Sequence, residues 1–316
     1  MTQIYHPSQN ESSKQWSWIT LIGPDVKDFL HRLTTVNLKF LGVGQGRPGF
    51  FLTAQGKIRS YFHLWNFGPQ EYAFEFNAGA SGHWKKELLT AIDQFTFSEK
   101  MTLTDVTELQ CCWLFPESDE LEKISAGGLQ GGQTLAIDEE IRICHHGDTD
   151  YGRTWITAWG KPARLNQWLD HFFSEATPIS LQELESRRIQ AVRPQVDSEI
   201  TETVLPLEVG LRDAIAENKG CYPGQEVIER IVALGSPPRR LVKIEGPGRC
   251  PQPGDPVLNL AEPPTEVGTI TSAVQVGERY SALGLIKKIH AKEELPVRFS
   301  RPHISEGVIV KIAPYA

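Results

Sequence analysis

Apolar residues recur along this chain in two rhythms. Residues 19–22 form a short apolar run stopped by Gly23-Pro24-Asp25, after which Val26, Phe29, Leu30 and Leu33 fall at i, i+3, i+4 and i+7. That spacing predicts a strand, a turn and an amphipathic helix. Residues 50–58 read as a hairpin turning at Gln55-Gly56, followed by strands at 61–66 and 71–76 and a helix over 84–95. Gly, Ser and acidic residues crowd 118–135, which predicts a surface loop. Leu165, Trp168, Leu169 and Phe172 restore the helical spacing, and Ser180-Leu181-Gln182-Glu183 has the capping-box form that opens a helix toward Ile189.

Strands and helices mixed without strict βαβ alternation predict an α+β body instead of a doubly wound sheet. The texture changes after Ser236-Pro237-Pro238. From Leu241 onward only short strand-like runs remain, at 241–245, 267–274, 280–286 and 307–313, separated by Gly and Pro turns. This is the pattern of a small β-barrel, and it places a domain boundary between a body at 1–236 and a barrel at 237–316.

The 316 residues carry 39 acids against 32 Lys and Arg, a net charge of −7. That balance argues against a protein that coats DNA or an anionic membrane. The first 15 residues lack the basic start and apolar run of a signal peptide, and no stretch is apolar enough to span a bilayer, so a soluble, cytoplasmic protein is expected. Five cysteines, at 111, 112, 144, 221 and 250, include no C-x-x-C pair and are expected to be free thiols. Cys111 and Cys112 are consecutive in an apolar run, where they point to opposite faces of a strand and serve core packing. The Asn10-Glu11-Ser12 sequon has no meaning without secretion.

Gly44-Gln45-Gly46-Arg47-Pro48-Gly49 matches the G-x-G-x-x-G pattern of dinucleotide sites. It follows a helix and leads into a strand, the reverse of the required context, so a simple turn is expected there. The run from Cys144 to Asp150 (Cys-His-His-Gly-Asp-Thr-Asp) gathers metal-ligand types, but neighbouring side chains diverge and no second ligand group stands at a recognised spacing. A solvated loop is expected, and no metal site. Lys219-Gly220-Cys221-Tyr222-Pro223-Gly224-Gln225-Glu226 is more informative. Two glycines and a proline around one cysteine describe a tight turn with the thiol at its tip. Lys219 and Arg230 favour a thiolate if they face the sulfur, and Glu226 opposes them.

That octapeptide resembles the K-G-C-Y-x-G-Q-E signature of YgfZ-type proteins, folate-binding relatives of the aminomethyltransferase (T-protein) of glycine cleavage. The resemblance extends through Gly23-Pro24-Asp25, Phe29-Leu30, Leu33-Thr34, Leu52-Thr53-Ala54-Gln55-Gly56-Lys57, Leu205-Pro206-Leu207-Glu208 and Val267-Gly268-Thr269-Ile270-Thr271-Ser272. It implies two α+β subdomains and a C-terminal barrel arranged as a cloverleaf around a central folate pocket. It also implies tetrahydrofolate or a folate derivative as ligand, and iron–sulfur enzymes or assembly proteins as partners, tRNA methylthiotransferases among them.

Cys221 is the residue the resemblance makes functional. Lys219 falls where relatives meet the folate glutamate tail, and Tyr222, Gln225, Glu226 and Arg230 belong to the same segment. The relatives' pterin-binding carboxylate, in R-x-E-A-G, aligns with Arg188-Ile189-Gln190-Ala191-Val192, so Gln190 stands where they carry an acid. The alternative function is a folate-dependent aminomethyltransferase or demethylase. Those enzymes use an acid in an Asn-Asp context, which is absent before residue 200 here, and they lack the K-G-C-Y signature. A third reading is a partner-binding protein with a vestigial folate pocket.

Overall fold

The computed structural model describes residues 2–6, 16–106, 109–116, 118–124, 129–147, 151, 154–299 and 306–314. The sequon at 10–12 and Asp148, Thr149 and Asp150 lie outside them. Contacts divide the chain into two units, each described by itself. The first comprises 1–52, 59–181 and 213–223, the second 53–58, 182–212 and 224–316.

In the first unit, β1 (Gln3–Tyr5), β2 (Trp16–Ile22), α1 (Val26–Leu33), β3 (Gln45–Leu52), β4 (Ile58–Gly68), β5 (Glu71–Asn77), α2 (His83–Phe95) and β6 (Thr102–Asp105) come first. They are followed by β7 (Gln110–Phe115), α3 (Ser118–Ile124), β8 (Gln133–Ala136), β9 (Ile141–Gly147), β10 (Trp155–Gly160), α4 (Pro162–Phe172) and β11 (Thr177–Pro178). The strands make one eleven-stranded sheet in the order β11-β1-β7-β10-β9-β8-β3-β4-β5-β2-β6.

Each half of this sheet buries one face under helices. Val26, Phe29, Leu30 and Leu33 of α1, with Leu88, Ala91 and Ile92 of α2, pack on Ile19, Leu21, Phe62, Leu64, Phe74 and Phe76. Leu165, Trp168 and Leu169 of α4 cover Cys112, Leu114, Ile143, Ile156 and Ala158. Period-two alternation then sends the residues between them to the opposite face, and these are aromatic and polar. Trp18 stacks on Trp159 at 4.4 Å, Trp16 meets Trp113 edge-on at 4.9 Å, and His146 stacks on Trp155 at 3.9 Å.

Three expectations are corrected here. Residues 118–124 are helical and 133–136 form a strand, so the 118–135 segment is not one loop; Leu121 and Ile124 give the helix apolar residues to pack against the core. Residues 45–49 are strand, not turn. Gly46 is needed because a Cβ there would lie 2.0 Å from the Trp65 ring. Cys144, His145 and His146 are not a solvated loop but part of strand β9, where Cys144 meets Thr134 and His146 Nε2 meets Glu75 and Thr157 on other strands.

In the second unit, α5 (Leu181–Ala191) and α6 (Gln225–Ala233) accompany β12 (Arg239–Pro247), β13 (Pro256–Leu258), β14 (Glu266–Val276), β15 (Arg279–Lys287), β16 (Pro296–Phe299) and β17 (Glu306–Ile312). The six strands close into a barrel in the order β12-β15-β14-β13-β16-β17, β17 returning to β12. Val242, Ile244, Val257, Ile270, Tyr280, Phe299 and Ile309 fill it. Arg188 on α5 donates to Glu199 at 2.9 Å and to Ser272 of β14 at 2.9 Å, tying helix to barrel through a buried ion pair. Glu208 does the same from a 3-10 turn at Pro206–Val209, accepting a fork from Arg239 at 2.7 and 2.9 Å and the Leu205 amide at 3.0 Å.

Among the described residues no helix is long and apolar enough to cross a membrane.

Candidate functional site

The segment carrying Cys221 is fixed to the first unit from both directions. Thr35, just past α1, is fully buried; its hydroxyl donates to Ala214 O at 2.6 Å and accepts the Phe50 amide at 2.8 Å, while Thr35 O accepts the Ala216 amide at 3.0 Å. These bonds hold the start of the segment against α1 and β3. Further along, the Lys219 ammonium donates to the carbonyl oxygen of His31, in the last turn of α1. A helix C-terminus leaves carbonyls without intrahelical donors and carries partial negative charge, so a cation is stabilised there.

Lys219 is only 8% exposed. Its ammonium lies 5.2 Å from the centroid of the Tyr222 ring. Burial, reinforced by repulsion from Lys39, pulls the ammonium down to about 8 although Cys221 pulls the other way. Among the described residues, one hydrogen-bond acceptor, His31 O, faces its three donors. His31 is itself lowered, first by burial and then by Lys219 and Lys39, with Asp28 opposing. The site is therefore a cationic one built around a buried lysine.

Cys221 is exposed, whereas Cys111, Cys112 and Cys144 are buried and Cys250 is half-buried. Burial pushes Cys112 up to about 12, raises Cys250, and, with Glu75 adding repulsion, drives Cys111 and Cys144 well above the usual thiol range. The turn holding Cys221 thus presents the thiol that its composition predicted. Cys111 and Cys112 fill opposite faces of β7 as core residues.

The remaining predicted site residues lie in the second unit. Gly224 opens α6 at φ 84°, and a Cβ there would come within 2.5 Å of Thr53 O, so the signature glycine is required by the approach of the hairpin tip. Gly56 lies beneath, 3.1 Å by the same measure from Val227 Cβ. Two segments that resemble the YgfZ type, Leu52 to Lys57 and the octapeptide, meet here. Gln225 Nε2 donates to Glu229 at 2.5 Å, while Glu226 and Arg230 are exposed on α6. Gln190 is engaged at both ends of its amide: Nε2 donates to Ser281 at 2.9 Å and Oε1 accepts from Lys243 at 2.8 Å. Lys243 also pairs with Glu245 at 3.0 Å.

The structure therefore brings Lys219, Cys221 and Tyr222 together and seats Gln190 in a separate polar cluster. Sequence reasoning missed His31, Lys39 and Thr35, which shape the Lys219 environment. It also missed Glu75, whose buried carboxylate accepts from Trp65 at 2.8 Å and Trp16 at 3.2 Å and lies 3.2 Å from His146 Nε2. No local pattern marks these residues, because each partner comes from a distant stretch of chain. Among the described residues no group of three or more His, Cys, Asp or Glu is arranged to hold a metal.

No protein-family model matches the chain. It is 24% identical to the tRNA-modifying protein YgfZ of Serratia proteamaculans over 96% of this chain and 92% of that one. It is 27% identical to an aminomethyltransferase of Herpetosiphon aurantiacus over 81% of this chain and 71% of that one. A chloroplastic protein of Arabidopsis thaliana, named provisionally as a transferase, is 26% identical over 85% of this chain, which spans 63% of its length. The crystal structure of the glycine cleavage system aminomethyltransferase T from Bartonella henselae superposes with a TM-score of 0.83 at 16% identity, covering 100% of this chain and 86% of that one. That likeness establishes the fold alone.

Proposed function

We propose that this chain, which belongs to the YgfZ-type family related to the aminomethyltransferases, is a tetrahydrofolate-binding protein that supports iron–sulfur enzymes, including tRNA-modifying ones, through the thiol of Cys221. The observation that carries the reading is Lys219. A buried ammonium with a single acceptor among the described residues is costly unless an anion completes it. A folate carboxylate supplies that anion.

On this reading Lys219 takes the glutamate tail, Gln190 hydrogen-bonds the pterin in place of the relatives' acid, and Cys221 acts toward the client. A neutral amide already shared with Lys243 and Ser281 grips a pterin edge less firmly than a carboxylate does. Cytoplasmic location follows as part of the same proposal.

A one-carbon transferase is the second reading, favoured by the aminomethyltransferase relative and fold. A fold hosts many activities, so the site decides. Anaerobic titration calorimetry with tetrahydrofolate tests the first reading. Heat in wild type that survives Cys221→Ala and weakens in Lys219→Gln supports it, and absence of heat in wild type overturns it. Turnover of an aminomethyl donor with folate would favour the second.

A further inference from the structure

We infer that Lys219 is a nucleophilic amine that captures small aldehydes as an imine, formaldehyde being the smallest of the class. This concerns the site before a carboxylate occupies it, and it holds whether or not folate is the ligand. The side chain is nine-tenths buried, so only an electrophile of a few atoms fits against it. Among the described residues its one acceptor is a neutral backbone carbonyl, His31 O, and no carboxylate pairs with it. A lysine desolvated in this way gives up its proton more readily than an exposed or carboxylate-paired one. Its ammonium accordingly titrates at about 8, burial being the main cause, with Lys39 adding to it and Cys221 opposing. At pH 7 about a tenth of Lys219 is then free amine, against fewer than about one in a thousand for an ordinary lysine.

The position of the amine also selects the kind of electrophile. His31 O lies in the last turn of α1, where the helix carries partial negative charge, and the Tyr222 ring lies 5.2 Å from the nitrogen. Both neighbours favour a cation there. An aldehyde leaves the nitrogen cationic as a protonated imine, which keeps one N–H to donate to His31 O. An acyl donor leaves a neutral amide, and carbon dioxide leaves an anionic carbamate that the helix end disfavours. The ammonium first loses a proton to solvent, and the Nζ lone pair attacks the aldehyde carbon. The C–N bond forms as the C=O π pair moves to oxygen, which gains a proton as the nitrogen releases one. That oxygen leaves as water on a further proton from solvent, and the nitrogen lone pair closes the C=N bond. Ammonium and aldehyde thus give protonated imine and water, with charge conserved and no oxidant or reductant consumed.

The test uses the full wild-type chain and isotope-labelled formaldehyde at pH 7.5. Short exposures are ended by excess borohydride, which reduces the imine to a methylamine, and peptide mapping by mass spectrometry gives the rate at each lysine. Lys219 is expected to be methylated about tenfold faster than the median exposed lysine, because a roughly two-hundredfold excess of free amine is offset only in part by restricted access. In urea-unfolded protein Lys219 is expected to fall to the median. Labelling of folded Lys219 at or below the median, or a preference that survives unfolding, would overturn the inference. Calorimetric titration of untreated protein with tetrahydrofolate is a separate readout, since folate heat persists when only aldehyde capture fails.

Discussion

The carboxylate of Glu75 and the imidazole of His146 face each other at 3.2 Å with both side chains wholly excluded from solvent. Glu75 stands on β5 and His146 on β9, so the contact joins the two halves of the eleven-stranded sheet across its aromatic face. Two indole N–H groups, from Trp16 and Trp65, complete the shell. Together these donors offset the cost of burying the charge.

Glu75→Ala removes the acceptor and strands these donors in an apolar site. The expected loss is about 3–5 kcal/mol, the range for breaking a buried pair, and Glu75→Gln is expected to lose less because the amide oxygen still accepts. Urea denaturation followed by tryptophan fluorescence measures both. Equal stability of Glu75→Ala and wild type would show that the pair does not hold the sheet.

The Arg188–Glu199 pair makes a parallel claim for the second unit, with Ser272 donating to Glu199 at 2.6 Å and accepting from Arg188 at 2.9 Å. Ser272→Ala leaves both charges facing each other and is expected to cost about 1–3 kcal/mol. Glu199→Ala removes the fully buried carboxylate and leaves Arg188 to Glu185, a partly exposed partner at 2.8 Å on the same helix, and is expected to cost about 3 kcal/mol, the low end for a broken buried pair. Thermal or urea unfolding ranks the two variants.

Thiol accessibility follows from burial. Under native conditions an alkylating reagent is expected to modify Cys221 first and Cys250 more slowly, while Cys111, Cys112 and Cys144 react only after unfolding. Peptide mapping of partially labelled protein gives the order. Early labelling of Cys111 or Cys144 would contradict the closed sheet face.

Lys219 makes folate binding depend on pH. Its ammonium titrates at about 8 in the free protein because burial disfavours the charge, and a bound carboxylate raises it again. The favourable contribution is then complete below about pH 8 and fades as pH climbs through the raised value of the complex. Between the two, binding takes up protons. Calorimetry near pH 8.5 in buffers of different ionisation enthalpy is expected to register that uptake, and Lys219→Gln is expected to abolish it.

Much of the fold is legible in the chain because its amphipathic periods are clean. Val26 to Leu33 and Leu165 to Leu169 bury the residues that helical spacing selects, and β12, β14, β15 and β17 occupy the runs read as barrel strands. The three-residue β13 and four-residue β16 were missed because they are too short to show a period. β9 was missed for a different reason. Cys144, His145 and His146 look like a solvated run, and partners supplied by other strands, among them Glu75, Thr134 and Thr157, make them tolerable inside.

The site divides in the same way. The turn around Cys221 announced an exposed thiol through its glycines and proline. The environment of Lys219 could not be read, since its acceptor, His31 O, is 188 residues away. Gln190 was legible as a replacement for an acid, but its engagement by Lys243 and Ser281 depends on strands β12 and β15 closing the barrel beside α5.

The central claim, that the buried ammonium of Lys219 awaits a folate carboxylate while Cys221 serves a separate step, is tested most directly by anaerobic calorimetric titration with tetrahydrofolate. Saturable binding in wild type, retained in Cys221→Ala and weakened about tenfold or more in Lys219→Gln, is the predicted result, the tenfold corresponding to about 1.4 kcal/mol for the lost charge–carboxylate contact. Absence of binding in wild type, or equal affinity in Lys219→Gln, would contradict it.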